Sequence, residues 1–236
     1  MLLGNKYRNI SFFCIAILAV LHWGFYRTYI QFFPDFKGFK VVHHIHGTLM
    51  LLWVLLLIVQ PFLISMKRYA LHRTVGKSSY ILAPLVTLSI FMVSGAGFHK
   101  MLSENAPEPV AVGILALNLP GAFGFAAFYI LAMLHRKQSD IHMRYMIGTA
   151  LLMIGPGLGR GLIIYGNIPF ESSVSYSDEI VLLIAFALLL YDIINRKNIK
   201  PYLTIFLVLL MAHIFWLTKM GLVWQFIGGG FSKIFY

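Results

Sequence analysis

Charge is what this sequence has least of. Only 11% of its 236 residues are charged and 59% are hydrophobic, whereas about a quarter of an average soluble domain is charged. So few ionic side chains cannot coat a water-exposed surface, which excludes an ordinary soluble globular protein. Acids are scarcer still, with Asp+Glu 8 against Lys+Arg 19. The net charge of +11 would invite a nucleic-acid partner, but the basic residues sit in short clusters between apolar runs and not on one surface. No nucleic acid is expected, and the bilayer is the expected partner. Cysteine is limited to Cys14, inside the first apolar run, so neither an intrachain disulfide nor a Cys-based metal site can form. Ser/Gly-rich linkers, repeats and low-complexity tracts are missing as well, and residues 1–236 read as a single integral membrane domain.

What the chain does have is apolar length. A hydrocarbon core of about 30 Å takes roughly 20 apolar residues per helix. Such runs cover approximately residues 10–29, 46–66, 79–98, 110–134, 143–165, 179–194 and 202–227. The expected fold class is therefore all-α, a polytopic membrane helix bundle with about seven transmembrane helices. Lys6 and Arg8 before the first run resemble the start of a signal peptide, but no small-residue cleavage site follows. Trp23, Tyr26 and Arg27 end the run instead, as they would end an uncleaved first helix.

Orientation follows from the Lys/Arg bias. With the N-terminus cytoplasmic, twelve of the nineteen basic residues fall inside: Lys6, Arg8, Lys67, Arg68, Arg73, Lys77, Arg136, Lys137, Arg144, Arg196, Lys197 and Lys200. Asp35, Glu104, Glu108, Glu171, Asp178 and Glu179 fall outside. Asn118-Leu119-Pro120-Gly121 should interrupt the fourth helix and Gly155-Pro156-Gly157 the fifth, because proline removes a backbone donor. The freed carbonyls need partners within protein, not lipid.

Ionisable groups inside a membrane are costly and tend to mark ligand sites or pathways, which singles out the nine histidines. His46, Met50, Trp53, Leu57 and Gln60 share one helical face, so His46 and Gln60 lie about 21 Å apart along it. An imidazole, an indole and an amide on one stripe should point into the bundle, either as interhelical hydrogen-bonding groups or as the lining of a site. His142 and Arg160 are five turns apart, about 27 Å, on what would be one face of the fifth helix if Pro156 left it straight. Arg160 either snorkels or pairs with Glu171, Asp178 or Glu179, or else clamps a carboxylate or phosphate such as a haem propionate, a lipid headgroup or a substrate acid.

His72 and His142 stand at cytoplasmic helix starts. Both could simply flank headgroups, or they could face each other as axial ligands of haem iron. His43, His44, His46 and His99 form an outer group, of which His44, His46 and His99 are candidate ligands for Zn or Fe, without an H-E-x-x-H motif. His213, Trp216, Met220 and Trp224 follow one face of the last apolar run and read as packing. Lys219 beside them has no carboxylate in the middle of the third run to balance a Schiff base.

His44-Ile45-His46-Gly47, Leu71-His72-Arg73-Thr74-Val75-Gly76 and His142-Met143-Arg144-Tyr145-Met146, with the later Arg160, resemble a group of uncharacterised bacterial multi-helix membrane proteins with H-x-H-G, H-R-x-x-G and H-x-R-x-M motifs. That resemblance spans about residues 40 to 160 and implies a fold type without an activity. The chain is also similar to dihaem b-type transmembrane cytochromes, whose helix-end histidines hold one haem near each membrane face. It departs from them in that the fourth run has no histidine at its outer end and His99 closes the third instead. This similarity implies haem b bound by His72 and His142 on the inner side and by His46 with His99 outside, with Arg160 as anion partner and Trp53 and Gln60 as lining. The expectation is a redox protein of the bacterial cytoplasmic membrane passing electrons from a quinol-like donor to an acceptor. Two alternatives stay open: a His-ligated Zn or Fe enzyme acting on a lipid-like substrate, and a non-enzymatic transporter, sensor or assembly subunit. A partner subunit or homo-oligomer is compatible with each.

Overall fold

The computed structural model describes residues 2–236, with side chains from residue 5 onward. All regular structure among the described residues is helical. Six stretches are long and apolar enough to cross a membrane: Asn5–Tyr26, Val41–Ser65, Ser79–Ser103, Glu108–Leu134, Ser139–Gly166 and Lys200–Leu217. The helices are α1 (Leu2–Tyr26), α2 (Val41–Ser65), α3 (Tyr69–Gly76), α4 (Ser79–Ser103), α5 (Glu108–Ile114), α6 (Leu119–Leu134), α7 (Ser139–Leu151), α8 (Ile154–Gly166), α9 (Phe170–Ile194), α10 (Lys200–Leu217) and α11 (Leu222–Phe235).

Both expected proline breaks occur, and their positions follow from the missing donor. Pro156 cannot bond the carbonyl four residues back, at Leu152, and the helix parts there into α7 and α8, leaving Pro156 in the first turn of α8. Residue counting from His142 to Arg160 therefore does not carry one face through. Likewise a 3₁₀ turn over Leu115–Leu117 separates α5 from α6, whose second residue is Pro120.

Three sequence expectations need correction. His72 stands not at the start of the third apolar run but on a separate short helix before it, α3. The last apolar run is two helices, because Thr218 to Gly221 turn sharply, with the Gly221 N–H donating to the Thr218 carbonyl at 2.7 Å. His213 and Trp216 thus lie on α10 and Trp224 on α11. Third, α9 starts at Phe170, well before the apolar run begins, and it is not among the six stretches. It carries Glu171, Asp178, Glu179 and Asp192.

The chain forms two compact units, Met1–Val86 with Ala150–Ser177, and Thr87–Thr149 with Asp178–Tyr236. In the first, α1 packs on both α2 and α8. The α1–α8 contact is made by glycines: a Cβ on Gly24 would fall on the Gly157 carbonyl, one on Gly157 would come within 3.0 Å of the Leu21 backbone, and one on Gly161 would enter the Trp23 ring. The four-residue spacing of Gly157 and Gly161 is the small-residue pattern that lets membrane helices touch backbone to backbone. On α2 the buried face carries Trp53 at 0% exposure with Leu57, while Leu51, Leu52, Leu55 and Val59 face outward. The stripe read from the sequence is therefore the inner face. His43 closes the first turn of α2 by accepting the Lys40 backbone N–H at 3.1 Å, which satisfies a donor the helix cannot.

The second unit is held by polar ties between helices. Arg144 of α7 donates to both Asp192 oxygens of α9, Nε to Oδ2 at 2.6 Å and Nη2 to Oδ1 at 2.9 Å. Both side chains are essentially buried, at 5% and 0% exposure. The same guanidinium lies 5.6 Å from the Tyr202 ring of α10. Asp178 of α9 and His213 of α10 make a second tie, 3.4 Å between Oδ2 and Nδ1. Trp224 Nε1 donates to the Val112 carbonyl at 3.0 Å, joining α11 to α5.

Candidate functional site

The sequence candidates divide between the units: His44, His46, Trp53, Gln60, His72 and Arg160 in the first, His99 and His142 in the second. What each can do depends on where its ring nitrogens or N–H groups already point.

His142 sits in the first turn of α7 with Nδ1 at 2.8 Å from the Ala132 carbonyl, two residues before the end of α6. A carbonyl can only accept, so Nδ1 carries the proton, and the neutral ring keeps its lone pair on Nε2. Metal-bound histidines are commonly held in this way, with the far nitrogen donating to a carbonyl that fixes the tautomer. His135, which ends α6, has the same arrangement with Nδ1 at 2.8 Å from the Leu131 carbonyl. Both rings are half-buried. His142 thereby satisfies the Ala132 carbonyl in the last turn of α6, whereas the Leu131 carbonyl also accepts the His135 backbone N–H at 3.1 Å.

His72 is the reverse case. Turned so that both its polar atoms are satisfied, the Gln60 carboxamide meets two backbone groups of α3, its oxygen accepting from the Gly76 N–H at 2.9 Å and its NH₂ donating to the His72 carbonyl at 3.1 Å. The same NH₂ meets His72 Nδ1. Nδ1 must therefore be the acceptor, which places the proton of the neutral ring on Nε2. A ring so arranged offers iron no lone pair at Nε2. Held so, His72 would have to change tautomer to give iron a lone pair at Nε2, and Gln60 anchors α3.

The outer candidates are also engaged. His44 Nδ1 is 2.5 Å from the Tyr29 hydroxyl, inside an aromatic group with Phe36 and Phe39. Burial raises the Tyr29 pKa above its ordinary value, so its hydroxyl keeps its proton. His99 packs against Phe98 and Tyr236. Among the described residues no three His, Cys, Asp or Glu side chains come together as a group able to hold a metal ion. The Zn or Fe reading on His44, His46 and His99 thus has no assembled ligand set behind it.

Arg160 does not pair with Glu171, Asp178 or Glu179; among the described residues no carboxylate pairs with it. Its guanidinium lies 4.7 Å from the Phe25 ring of α1. It is also within electrostatic range of His46.

Two groups escaped the sequence reading. Arg144 reads as a flanking cation from its place near a helix end, and Asp192 was not singled out, yet they form the bidentate ion pair. His213 reads as packing, yet it meets Asp178. The available signal was an acid inside the apolar run of α9, Asp192, which needs a cation wherever it is buried.

No protein-family profile, no curated protein and no solved structure matches the chain.

Proposed function

We propose that this is a multi-pass protein of the bacterial cytoplasmic membrane, with seven spans and a cytoplasmic N-terminus, that binds haem b through His142 and passes electrons from a quinol-like donor to an acceptor. The seventh span is α9, whose charge is partly answered by Arg144 and His213. The observation that carries the redox reading is the His142 ring: its Nδ1–H is fixed on the Ala132 carbonyl, which leaves Nε2 as a lone-pair donor on a half-buried ring. Haem b, when bound, would supply a one-electron couple. This chain's own contribution is to hold the imidazole in the ligating tautomer and to keep it from turning. His72, whose Nδ1 accepts from the Gln60 amide, would have to change tautomer to hold the group together with His142.

The test is a visible spectrum of the purified protein before and after dithionite, with iron measured on the same sample. A Soret band that shifts and an α band that sharpens on reduction, with about one iron per haem, is the expected result. A colourless protein without iron, expressed with sufficient haem supply, contradicts the redox reading. It would leave the polar ties as supports of a non-enzymatic membrane subunit.

A further inference from the structure

The first unit carries most of the positive charge. Its residues include ten Lys and Arg against two acids, Asp35 and Glu171, a net of eight; the second unit has nine against six, a net of three. Within that basic unit, Arg160 is the one Lys or Arg set in the middle of an apolar helix, six residues before the end of α8. That is about 9 Å along the axis. His46 lies five residues from the start of α2, about 7.5 Å in, a matching depth. Around this level stand the side chains typical of a headgroup boundary: Trp23 stacks on Tyr165 with ring centroids 5.3 Å apart, and Arg27 lies 5.5 Å from the Tyr165 ring.

The Gly24–Gly157 contact presses α1 onto α8 and sets Phe25, the next residue, beneath Arg160. A guanidinium that rests one face on an aromatic ring keeps its N–H groups in its own plane, directed outward. None of those N–H groups donates to a described protein acceptor. The side chain is exposed. An arginine at this depth with unmatched donors calls for an anion, and a planar fork suits the two oxygens of a phosphate or carboxylate.

We propose that Arg160, with Phe25 beneath it and His46 beside it, forms a site for the anionic head of an amphiphile, a phosphate or carboxylate whose apolar tail lies along the helices. The site belongs to the first unit and does not rest on the haem reading. The apolar tail follows from the depth of the site, which lies about 9 Å inside the end of an apolar helix.

The experiment is native mass spectrometry of the full chain in detergent, titrated separately with phosphatidylglycerol, phosphatidylcholine, oleate and inorganic phosphate. One tightly retained phosphatidylglycerol or oleate per chain, with phosphatidylcholine and free phosphate weaker, is expected, and which of the two wins separates a lipid headgroup from a fatty acid as the source. Arg160→Gln should weaken that binding about tenfold or more, since a charge-assisted fork is lost. Its melting temperature should stay near that of the parent, because no ion pair or hydrogen bond within the protein is removed and only the exposed stacking on Phe25 is lost. Arg160→Lys, which keeps the charge without the fork, should weaken binding several-fold, and it serves as the readout if Arg160→Gln does not fold. Unchanged retention in the variant that folds, phosphatidylcholine held as tightly as the anionic amphiphiles, or free phosphate bound as well as either would overturn the proposal.

Discussion

His72 and His142 both lie in the first turn of a helix, each with an arginine close behind, yet the two units treat them oppositely. In the second unit a carbonyl accepts a hydrogen bond from His142 Nδ1–H and leaves Nε2 free; in the first an amide donates to His72 Nδ1 and leaves the proton on Nε2. The same contrast runs through the arginines. Arg144 is closed on both Asp192 oxygens, whereas Arg160 rests on an aromatic ring with no acid to meet it. Sequence neighbours alone do not decide whether a polar group in a membrane helix is structural or available. The identity of the atom it meets does.

The sharpest way to break the comparison is to open the closed pair. Asp192→Leu leaves the buried Arg144 guanidinium only the Asp140 carbonyl at 2.9 Å and the exposed Asp140 carboxylate at 3.9 Å, and loss of one partner of a buried pair costs about 3–5 kcal/mol. The expected outcome is a large drop in thermal stability in detergent. Adding Arg144→Met should recover most of it, since removing both charges leaves nothing unpaired. If Asp192→Leu melts like the parent, the pair is not what holds α7 to α9.

A smaller effect is expected where the first unit relies on close packing instead of charge. Gly24→Val would drive a side chain into the Gly157 carbonyl, and overpacking of this kind costs about 1–3 kcal/mol. The melting temperature should fall and binding of the anionic amphiphile should weaken with it, because Phe25 moves with Gly24. Stability and binding that are both untouched would contradict the backbone contact.

The smallest effect belongs to Gln60→Ala. It removes hydrogen bonds worth about 1 kcal/mol in net stability. Hydrogen exchange over residues 69–76 should speed up while the rest of the chain keeps its protection, since α3 is anchored by that amide. Unchanged exchange in α3 would remove the argument that fixes the His72 tautomer.

Much of the architecture was readable in advance because length and hydropathy alone mark a membrane helix. The proline breaks were readable because a missing donor acts locally. Helix α3 was not, since eight residues with little apolar content look like any basic loop. The turn at Thr218 to Gly221 was hidden by apolar residues on both sides. For the site, the inward stripe His46, Trp53 and Gln60 followed from helical periodicity, and Trp53 is fully buried on it. The tautomers of His72 and His142 could not follow from sequence, because each depends on one atom of another helix, the Gln60 nitrogen in one case and the Ala132 oxygen in the other. The Arg144–Asp192 pair was missed for a related reason: 48 positions separate the partners, and a cation near a helix end is already explained by topology.

His142 presents a free Nε2 and His72 does not. Haem per chain, measured on His142→Ala and His72→Ala beside the parent protein, tests it most directly. Haem lost from His142→Ala and retained in His72→Ala is the predicted result; haem retained in His142→Ala, or lost only from His72→Ala, would contradict it.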